Sequence, residues 1–321
     1  MKRTLLLASA AVLFLFSCKK EHSASTMPPG KKYKLTFNVS NLSQQRANFS
    51  VKQKALSIKR HNLADSVVAL EGSSIDVLYY YIFDPSQPGQ PIVHTITQDS
   101  TLCDQFGMIT DSLPAGHYIV AIVAGKKGLI AQNGYAALNT LVGYNSLNWQ
   151  DTFFYWAQID VSATPANYDV TLHRIVGKLE LQLLDSIPAS AKTIKIAVYQ
   201  EFSALNMLFH DIDDGIVDTG FTFKTIPASA IGKPNFIVDR IQGATTFYLD
   251  VYITAFDASN HVLAKVKVTG VKCNPNQKTI LSGKLFGNGN TDNSQTFQVK
   301  VDTAWSSTIN QQNFSLRRIN L

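Results

Sequence analysis

The stretch Tyr33-Lys34-Leu35-Thr36-Phe37-Asn38-Val39-Ser40 decides the fold class of this 321-residue chain. Its apolar residues fall on alternate positions, and the positions between them are polar. Successive side chains of a β-strand point to opposite faces, so a period of two is typical of a strand with one buried face. The stretch therefore predicts a half-buried strand close to the start of the folded region.

Runs of the same kind recur along the chain, at 76–83, 117–124, 168–172, 175–183, 194–198, 247–255, 262–268, 281–285 and 297–301. Turn-forming pairs such as Asp84-Pro85 and Pro88-Gly89 separate them. Helical periodicity is confined to short candidates near 136–147 and 203–210. Many short strands between turns, with few helices, predict an all-β protein made of antiparallel β-sandwiches.

Length and composition support this class. An apolar share of 45% with 16% charged residues is enough for a core and excludes global disorder. Because 321 residues exceed the usual size of one domain, we expect two. The chain divides most naturally near 164–175, which gives an N-terminal sandwich over 33–170 and a C-terminal sandwich over 171–321. After residue 20, no apolar run approaches the roughly 18 residues that span a bilayer.

The first residues have the form of a bacterial export and anchoring signal. Lys2-Arg3 precede the apolar run Leu5–Phe16, and Leu15-Phe16-Ser17-Cys18 resembles a lipobox. Cleavage before Cys18 would remove residues 1–17 as a lipoprotein signal peptide. The new N-terminal cysteine would then carry diacylglycerol and further acyl chains such as palmitate, which hold a protein stably on a membrane. The alternative is a plain secretory signal with a chance cysteine.

The net charge of +6 belongs to the N-terminal end. The signal holds two basic residues and no acid, and residues 18–34 hold five lysines against Glu21, so 35–321 contain 22 basic and 22 acidic residues. A neutral body argues against the nucleic-acid partner that a pI near 9.0 first suggests.

Residues 18–32 are polar, have no apolar period and predict a flexible tether. Its lysines either interact with anionic headgroups or are simply solvated.

No catalytic motif appears in the sequence. The seven histidines are dispersed, and there is no His-Glu-x-x-His zinc motif, Gly-x-Ser-x-Gly elbow or P-loop. Cys103 and Cys273 fall in different predicted domains and most simply pack as small apolar residues. We therefore predict a protein that is not an enzyme, with no catalytic residue, no metal site and no cofactor beyond the acyl chains on Cys18.

The aromatic run at 149–156 has two interpretations. On a strand, Phe153 and Tyr155 would face one side and Phe154 and Trp156 the other, which suits a strand covered on both faces. We favour this core or interface role. Exposed Trp149 and Trp156 would instead stack on sugar rings, as in a surface glycan-binding lipoprotein.

Four stretches together resemble the fimbrillin-like and fimbrial anchor subunits of Bacteroidetes type V pili. The first is the lipobox with its tether and the strand Tyr33–Val39, and the second is the turn and strand Leu113–Val120. The third is Val170–Leu179, which contains the pattern Leu-x-Arg-x-(Val/Ala)-x-Lys of an interdomain strand, and the fourth is the hairpin Asn276–Leu285. The order and spacing of the four carry the resemblance.

The resemblance implies two tandem transthyretin-like β-sandwich domains in an outer-membrane lipoprotein exposed at the cell surface. Subunits of this family polymerise by strand exchange, in which a segment of one subunit fills an apolar groove of its neighbour. In stalk pilins, cleavage after an arginine removes the first strand. Arg46 and Arg60 are candidates for such cleavage here, or are ordinary solvated arginines. Anchor members keep the lipid and the first strand and end the filament at the membrane. Phe314–Leu321 would donate a strand or complete its own sandwich.

The sequence therefore predicts a lipid-anchored fimbrial anchor or accessory subunit that supports adhesion. Its partners would be other fimbrial subunits, through strand exchange, and the outer membrane, through the lipid on Cys18. The alternative function is a surface glycan-binding lipoprotein of a polysaccharide-uptake system, in which Trp149 and Trp156 would stack on the glycan.

Overall fold

The computed structural model describes residues 30–43, 75–87, 90–133, 140–144, 148–202, 204–206, 217–245, 247–287 and 297–302. Within these ranges the chain forms strands, one 3-10 turn at Ala228–Ala230 and no α-helix, so the predicted all-β class is confirmed. The described part also contains no helix with the length and hydropathy needed to cross a bilayer. The strands are β1 (Lys32–Ser43), β2 (Val77–Phe83), β3 (Ile92–Asp99), β4 (Met108–Pro114), β5 (Gly116–Gly125), β6 (Leu129–Asn133), β7 (Thr140–Tyr144), β8 (Thr152–Val161), β9 (Ala166–Arg174), β10 (Val176–Leu183), β11 (Thr193–Phe202), β12 (Ala204–Asn206), β13 (Val217–Thr225), β14 (Phe236–Gly243), β15 (Leu249–Phe256), β16 (Val262–Val271), β17 (Lys278–Gly283) and β18 (Gln298–Asp302).

The first nine strands supply a seven-stranded sheet in the order β3-β2-β5-β8-β9-β1-β4. On a flat sheet, β1 and β2 would lie four strand spacings, or about 19 Å, apart. The ring centres of Phe37 on β1 and Tyr80 on β2 are instead 5.3 Å apart. The sheet therefore folds over on itself between β8 and β9, where only two residue pairs keep the ladder. Its two halves pack face to face as the first sandwich.

The core between these halves follows the alternation seen in the sequence. Leu35, Phe37 and Val39 of β1 are at most 1% exposed, as predicted. Leu78 and Ile82 of β2 join them in the same apolar cluster.

The second half of the chain forms a sandwich of two four-stranded sheets, β14-β10-β17-β18 and β13-β11-β15-β16. Alternate residues of β10 and β11 form its centre. These residues are fully buried: Leu179, Leu181, Leu183, Ile194, Ile196 and Val198. The predicted sandwich architecture is confirmed.

Two ladders differ from the predicted antiparallel arrangement. β1 runs parallel to β9, and β10 runs parallel to β17. The other ladders between described strands are antiparallel. Because apolar and polar residues alternate with the same period in both kinds of ladder, the sequence pattern does not fix strand direction.

The two helical candidates are wrong where the structure describes them. Residues 140–144 form β7 and residues 204–206 form β12, and the two strands pair with each other. Such short apolar runs lack the length that separates a helix from a strand by periodicity. Since β7 precedes and β12 follows the middle of the chain, the three-stranded sheet β12-β7-β6 connects the two halves.

A buried arginine joins the two sandwiches where the chain passes between them. β9 ends at Arg174, and β10 begins two residues later. Arg174 is 2% exposed and donates from Nε at 2.6 Å and Nη2 at 2.9 Å to the Asp151 carboxylate. Its Nη1 donates to the side-chain oxygen of Asn276, in the second sandwich, at 2.8 Å. The division into domains near 164–175 stays a prediction, and the change of sheet falls within that range.

We expect Arg174→Ala to lower the free energy of unfolding by about 3–5 kcal/mol, because it removes the guanidinium partner of a largely buried carboxylate. Denaturant unfolding measures the loss. Lys178→Ala is the control, since the 3.1 Å pair between Lys178 and Asp239 is partly exposed and should contribute at most about 1 kcal/mol. Equal losses in the two variants would contradict a special role for Arg174.

Candidate functional site

The predicted lipid-attachment and processing sites lie outside the described residues. This applies to Cys18, Arg46, Arg60, the signal at 1–17 and the stretch Phe314–Leu321. Their assignments stay predictions.

The described residues contain no group of three His, Cys, Asp or Glu side chains that could hold a metal ion. Cys273 is a buried free thiol in the second sandwich, and burial raises its pKa to about 12. Cys103 lies in the core of the first sandwich and is disulfide-bonded, so its interpretation as a small apolar residue is wrong. No disulfide joins these two cysteines, so Cys273 acts as a small apolar core residue.

The feature that bears most directly on assembly is the position of β1. It lies between β9 and β4, parallel to the former and antiparallel to the latter. The register places Leu35 opposite Ala166 of β9 and Asp111 of β4, so both edges of β1 are paired. Removal of such a strand would open a groove one strand wide, the kind of site that a donated strand fills by β-augmentation.

Apolar side chains hold β1 in this position. Leu35 and Phe37 are fully buried. The Phe37 ring stacks on Tyr168 of β9, with ring centres 4.8 Å apart and an interplanar angle of 17°. The alternate residue Lys34 is exposed on the opposite face. Ladder bonds on both edges and apolar side chains in the core thus hold β1 together.

A buried polar cluster connects the two outer strands of the folded sheet. Asp111 of β4 is 1% exposed and shares its inward face with Ile109 and Leu113. Its carboxylate lies 2.5 Å from Nδ1 of His94 on β3 and accepts a hydrogen bond from the Tyr80 hydroxyl at 3.2 Å. Burial alone would raise the pKa of Asp111, but the hydrogen bond and charge of His94 hold that pKa below its usual value.

Further hydrogen bonds extend this connection to β1. The Gln98 amide of β3 donates to the Met108 carbonyl at 2.8 Å, and its oxygen accepts from the Gly107 N–H at 2.8 Å. The Gly107 carbonyl accepts from the Val39 N–H of β1 at 2.8 Å. Gly107 has a φ of +91°, a conformation that favours glycine. Side-chain bonds therefore close the sandwich along the side where no ladder joins β3 to β4.

Neither Asp111 nor His94 was predicted as a site residue, although the sequence contains a signal for Asp111. Asp111 occupies a position of β4 at which the alternation Ile109-x-Asp111-x-Leu113 would normally place an apolar residue. A carboxylate at a core position requires a buried partner. A search for charged residues in the apolar phase of a strand would have identified it.

The second sandwich has a comparable contact between its sheets. Arg240 of β14 donates from Nη2 to the Glu201 carboxylate of β11 and from Nη1 to the Thr222 hydroxyl of β13 at 3.1 Å. Burial raises the pKa of Glu201 to about 7, against the opposing charge of Arg240. A Cβ atom at Gly220 would overlap the Glu201 carboxylate, so a larger residue there would displace this ion pair. Nη1 of Arg240 also lies 3.4 Å from the Asn148 oxygen of the first half.

The two tryptophans do not form an exposed platform for sugars. Trp149 is 5% exposed, and its indole packs against Gly243 and the Tyr144 ring. Trp156 is half-buried and packs against a cluster that contains Phe154. The interpretation in which a glycan stacks on Trp149 is therefore wrong, because this indole fills the junction between the sandwiches.

The core interpretation of the aromatic run is confirmed on β8. Phe153 and Tyr155 face the core of the first sandwich. Phe154 lies in the second apolar cluster, on the opposite face of the strand, and Trp156 packs there too. The strand is covered on both faces, as the alternation predicted.

Comparison with known proteins places the chain in a family and supports its fold. Residues 142–317 match a family described as a family of unknown function, DUF6562. No curated protein matches the chain significantly.

Several solved structures have a similar fold. The fimbrial anchor protein Mfa2 from Porphyromonas gingivalis matches with a TM-score of 0.51 and 9% identity, over 85% of this chain and 98% of that chain. A candidate polysaccharide-binding protein (DUF1812) from Bacteroides thetaiotaomicron matches with a TM-score of 0.52 and 10% identity, over 84% and 96%. A candidate adhesin from Bacteroides ovatus matches at 0.50 and 7%, over 75% and 83%. At these identities the likeness concerns the fold, and it confirms the fold that the fimbrial resemblance implied.

We expect Asp111→Asn to lower stability by about 1–3 kcal/mol at neutral pH, because the variant loses a charge-assisted buried hydrogen bond. The folded-state pKa of Asp111 is lowered from 3.8, so the ionised form is the stabilising one. Its contribution is complete above that unfolded value and disappears as pH falls through the folded value.

Equilibrium unfolding at about pH 7, 5 and 3 tests this pH dependence. The difference between wild type and Asp111→Asn should shrink toward the lowest pH. Asp239→Asn is the control, because its partly exposed pair with Lys178 should contribute little at any pH. A difference for Asp111→Asn that stays constant with pH would show that its charge is not the stabilising feature.

Proposed function

The chain belongs to the DUF6562 family, a family of unknown function, and from its fold and its first strand we propose that it is a lipid-anchored fimbrial subunit of anchor or accessory type that supports adhesion. Its fold is similar to that of the fimbrial anchor protein Mfa2. The observation that carries the proposal is β1, which fills the position between β9 and β4 of its own chain.

A filled groove sets the place of a subunit in a filament assembled by strand exchange. A stalk subunit must lose its first strand before a donated strand can enter. Here β1 is paired on both edges and buries Leu35 and Phe37. A subunit that keeps this strand has no vacancy in its first sandwich, so the filament ends there.

The lipid would connect this end of the filament to the outer membrane at the cell surface. Cys18 is the proposed attachment point, and β1 begins at Lys32. A flexible tether of about 14 residues has an r.m.s. span of about 20 Å. The first sandwich would therefore lie close to the membrane.

Contact with the next subunit would use the C-terminal part of the chain. β18 is the outer strand of the sheet β14-β10-β17-β18, and no ladder among the described strands pairs with its free edge. A strand of a fimbrial partner can add at such an edge. Phe314–Leu321, which follows β18 in the sequence, is the proposed donor strand. We assign the protein no catalytic activity.

The alternative function, a glycan-binding lipoprotein of a polysaccharide-uptake system, loses its original basis. It required an exposed Trp149, which the structure buries. The candidate polysaccharide-binding protein from Bacteroides thetaiotaomicron shares the fold only.

A disulfide that locks β1 in place tests whether the strand stays. Thr36 of β1 and Thr110 of β4 are directly opposite in an antiparallel ladder, where Cα atoms are about 4.5–5.5 Å apart, within disulfide range. We expect Thr36→Cys with Thr110→Cys, once oxidised, to leave filaments attached to cells at the wild-type level. Deletion of the gene should release them.

Each single cysteine variant serves as a control for this experiment. Loss of attached filaments in the oxidised double variant alone would show that β1 must leave its groove, and the anchor assignment would fall. Unchanged filament attachment after gene deletion would refute the fimbrial function itself.

Membrane attachment is tested separately by Cys18→Ala, which removes the proposed acylation site. We expect the variant to move from the membrane fraction to the soluble fraction, because the lipid is its only proposed anchor. Cys273→Ala makes the same substitution at a buried thiol of the second sandwich and should stay in the membrane fraction. Retention of Cys18→Ala in membranes would contradict lipid anchoring.

A further inference from the structure

The outer face of the sheet β13-β11-β15-β16 carries exposed aromatic rings among lysines. Phe223 is 62% exposed, Tyr199 44% and Phe221 40%. The inner face of the same sheet lines the core of the second sandwich, and the outer face of such a sheet is ordinarily polar. We call the surface formed by Lys195, Tyr199, Phe221, Phe223, Tyr252 and Lys265 the aromatic-lysine face.

Strand register makes this face one continuous patch. Lys195 of β11 is opposite Phe223 of β13 on one side and Thr254 of β15 on the other. Thr254 is in turn opposite Lys265 of β16. Phe223, Lys195 and Lys265 therefore lie on one line across four strands, a width of about 14 Å. Tyr252, two residues before Thr254, points to the same side one step along β15.

The rings hold the lysine ammonium groups in place. Nζ of Lys195 lies 4.1 Å from the centre of the Phe221 ring and 5.5 Å from that of Phe223. Nζ of Lys265 lies 5.4 Å from the centre of the Tyr252 ring. These cation–π contacts order the lysines without neutralising their charge.

The charge on the face is mostly uncompensated. Asp250 pairs with Lys267 at 2.8 Å, at the edge of the patch. Among the residues that the structure describes, no carboxylate forms an ion pair with Lys195 or Lys265. Two ordered positive charges thus remain beside exposed ring surfaces.

This combination selects one class of ligand over its competitors. A dry protein interface has a continuous apolar centre, whereas here ammonium groups separate the rings. A bilayer is entered by an apolar face, whereas Tyr252 is half-buried and capped by Lys265. The tether of the chain itself carries lysines and would be repelled. A sugar ring presents C–H groups to an aromatic face, and an acidic sugar also offers a carboxylate or sulfate to a lysine.

We propose that the aromatic-lysine face binds an acidic polysaccharide. One sugar ring packs on Phe223, and its neighbours place their acidic groups beside Lys195 and Lys265. Tyr199, which packs edge-on against Tyr252 with ring centres 4.8 Å apart, contacts a further sugar. The site is shallow and solvated, so binding weakens with added salt. The proposal does not depend on strand exchange, because β1 lies in the other sandwich.

Binding of the purified full chain to three polymers tests the proposal. The probes are polygalacturonate, which carries carboxylates, dextran sulfate, which carries sulfates, and uncharged dextran. We expect binding to at least one acidic polymer and none to dextran. Lys195→Gln with Lys265→Gln should weaken that binding about tenfold, since two charge contacts are lost. Phe223→Thr removes a ring and no charge, and should weaken it about threefold or more.

The matched control is Lys31→Gln with Lys34→Gln, which removes the same charge from two exposed lysines at the N-terminal end. Its binding should equal that of the wild type. An equal loss in the control, or full binding by Phe223→Thr, would overturn the proposal, because general positive charge would then explain the attraction. Thermal unfolding verifies that every variant is folded.

Two further results would also overturn the proposal. One is the absence of binding to both acidic polymers. The other is stronger binding to phosphatidylglycerol vesicles than to either polymer, which would assign the face to a lipid surface. Loss of polymer binding in cells that still hold their filaments would separate this site from the fimbrial function.

Discussion

A strand inside a sheet must pair its backbone on both edges, and β1 meets this requirement between β9 and β4. A buried backbone group without a partner costs about 1–3 kcal/mol. Both β9 and β4 must therefore lie beside β1 to pair its backbone. β9 leads into Arg174, which connects the two sandwiches. β4 carries Asp111, which connects to β3. The joint between the sandwiches and the closure of the first one therefore both depend on where β1 lies.

Buried polar pairs occur where backbone ladders do not connect the strands. His94 with Asp111 connects the two outer strands of the folded sheet, and Arg240 with Glu201 connects two separate sheets. Arg174 crosses from one sandwich to the other. Desolvation cancels much of the attraction within a buried ion pair, but breaking the pair is costly. We infer that these pairs specify how the layers are arranged more than they raise the stability of the fold.

Alternation predicted β1, β2, β5, β9, β10, β11, β15, β16, β17 and β18, whose inward residues are apolar. Among the strands that it missed are β3, β4 and β14, because His94, Asp111 and Arg240 interrupt the apolar phase of those strands. It also failed to predict the parallel direction of β1 beside β9, because apolar and polar residues alternate with the same period in parallel and antiparallel ladders. The burial of Trp149 depends on contact with Gly243 of the other sandwich, so the local sequence could not show it. The same limit applies to the aromatic-lysine face, whose residues come from four strands.

The two proposed sites lie on different sandwiches. Their order along the chain determines which of them we expect to lie nearer the membrane. In the proposed arrangement the lipid on Cys18 precedes β1, which begins at Lys32, so the first sandwich would be the one held near the membrane. One half of its sheet is also covered on both faces by apolar clusters, which leaves that half no free surface for a ligand. The second sandwich instead leaves the outer face of β13-β11-β15-β16 open to solvent. A polysaccharide bound there would pull on the second sandwich, and the pull would reach β9 and β1 through the Arg174 joint. Adhesion and anchoring would then act on different sandwiches of one chain, without competing for the groove that β1 fills.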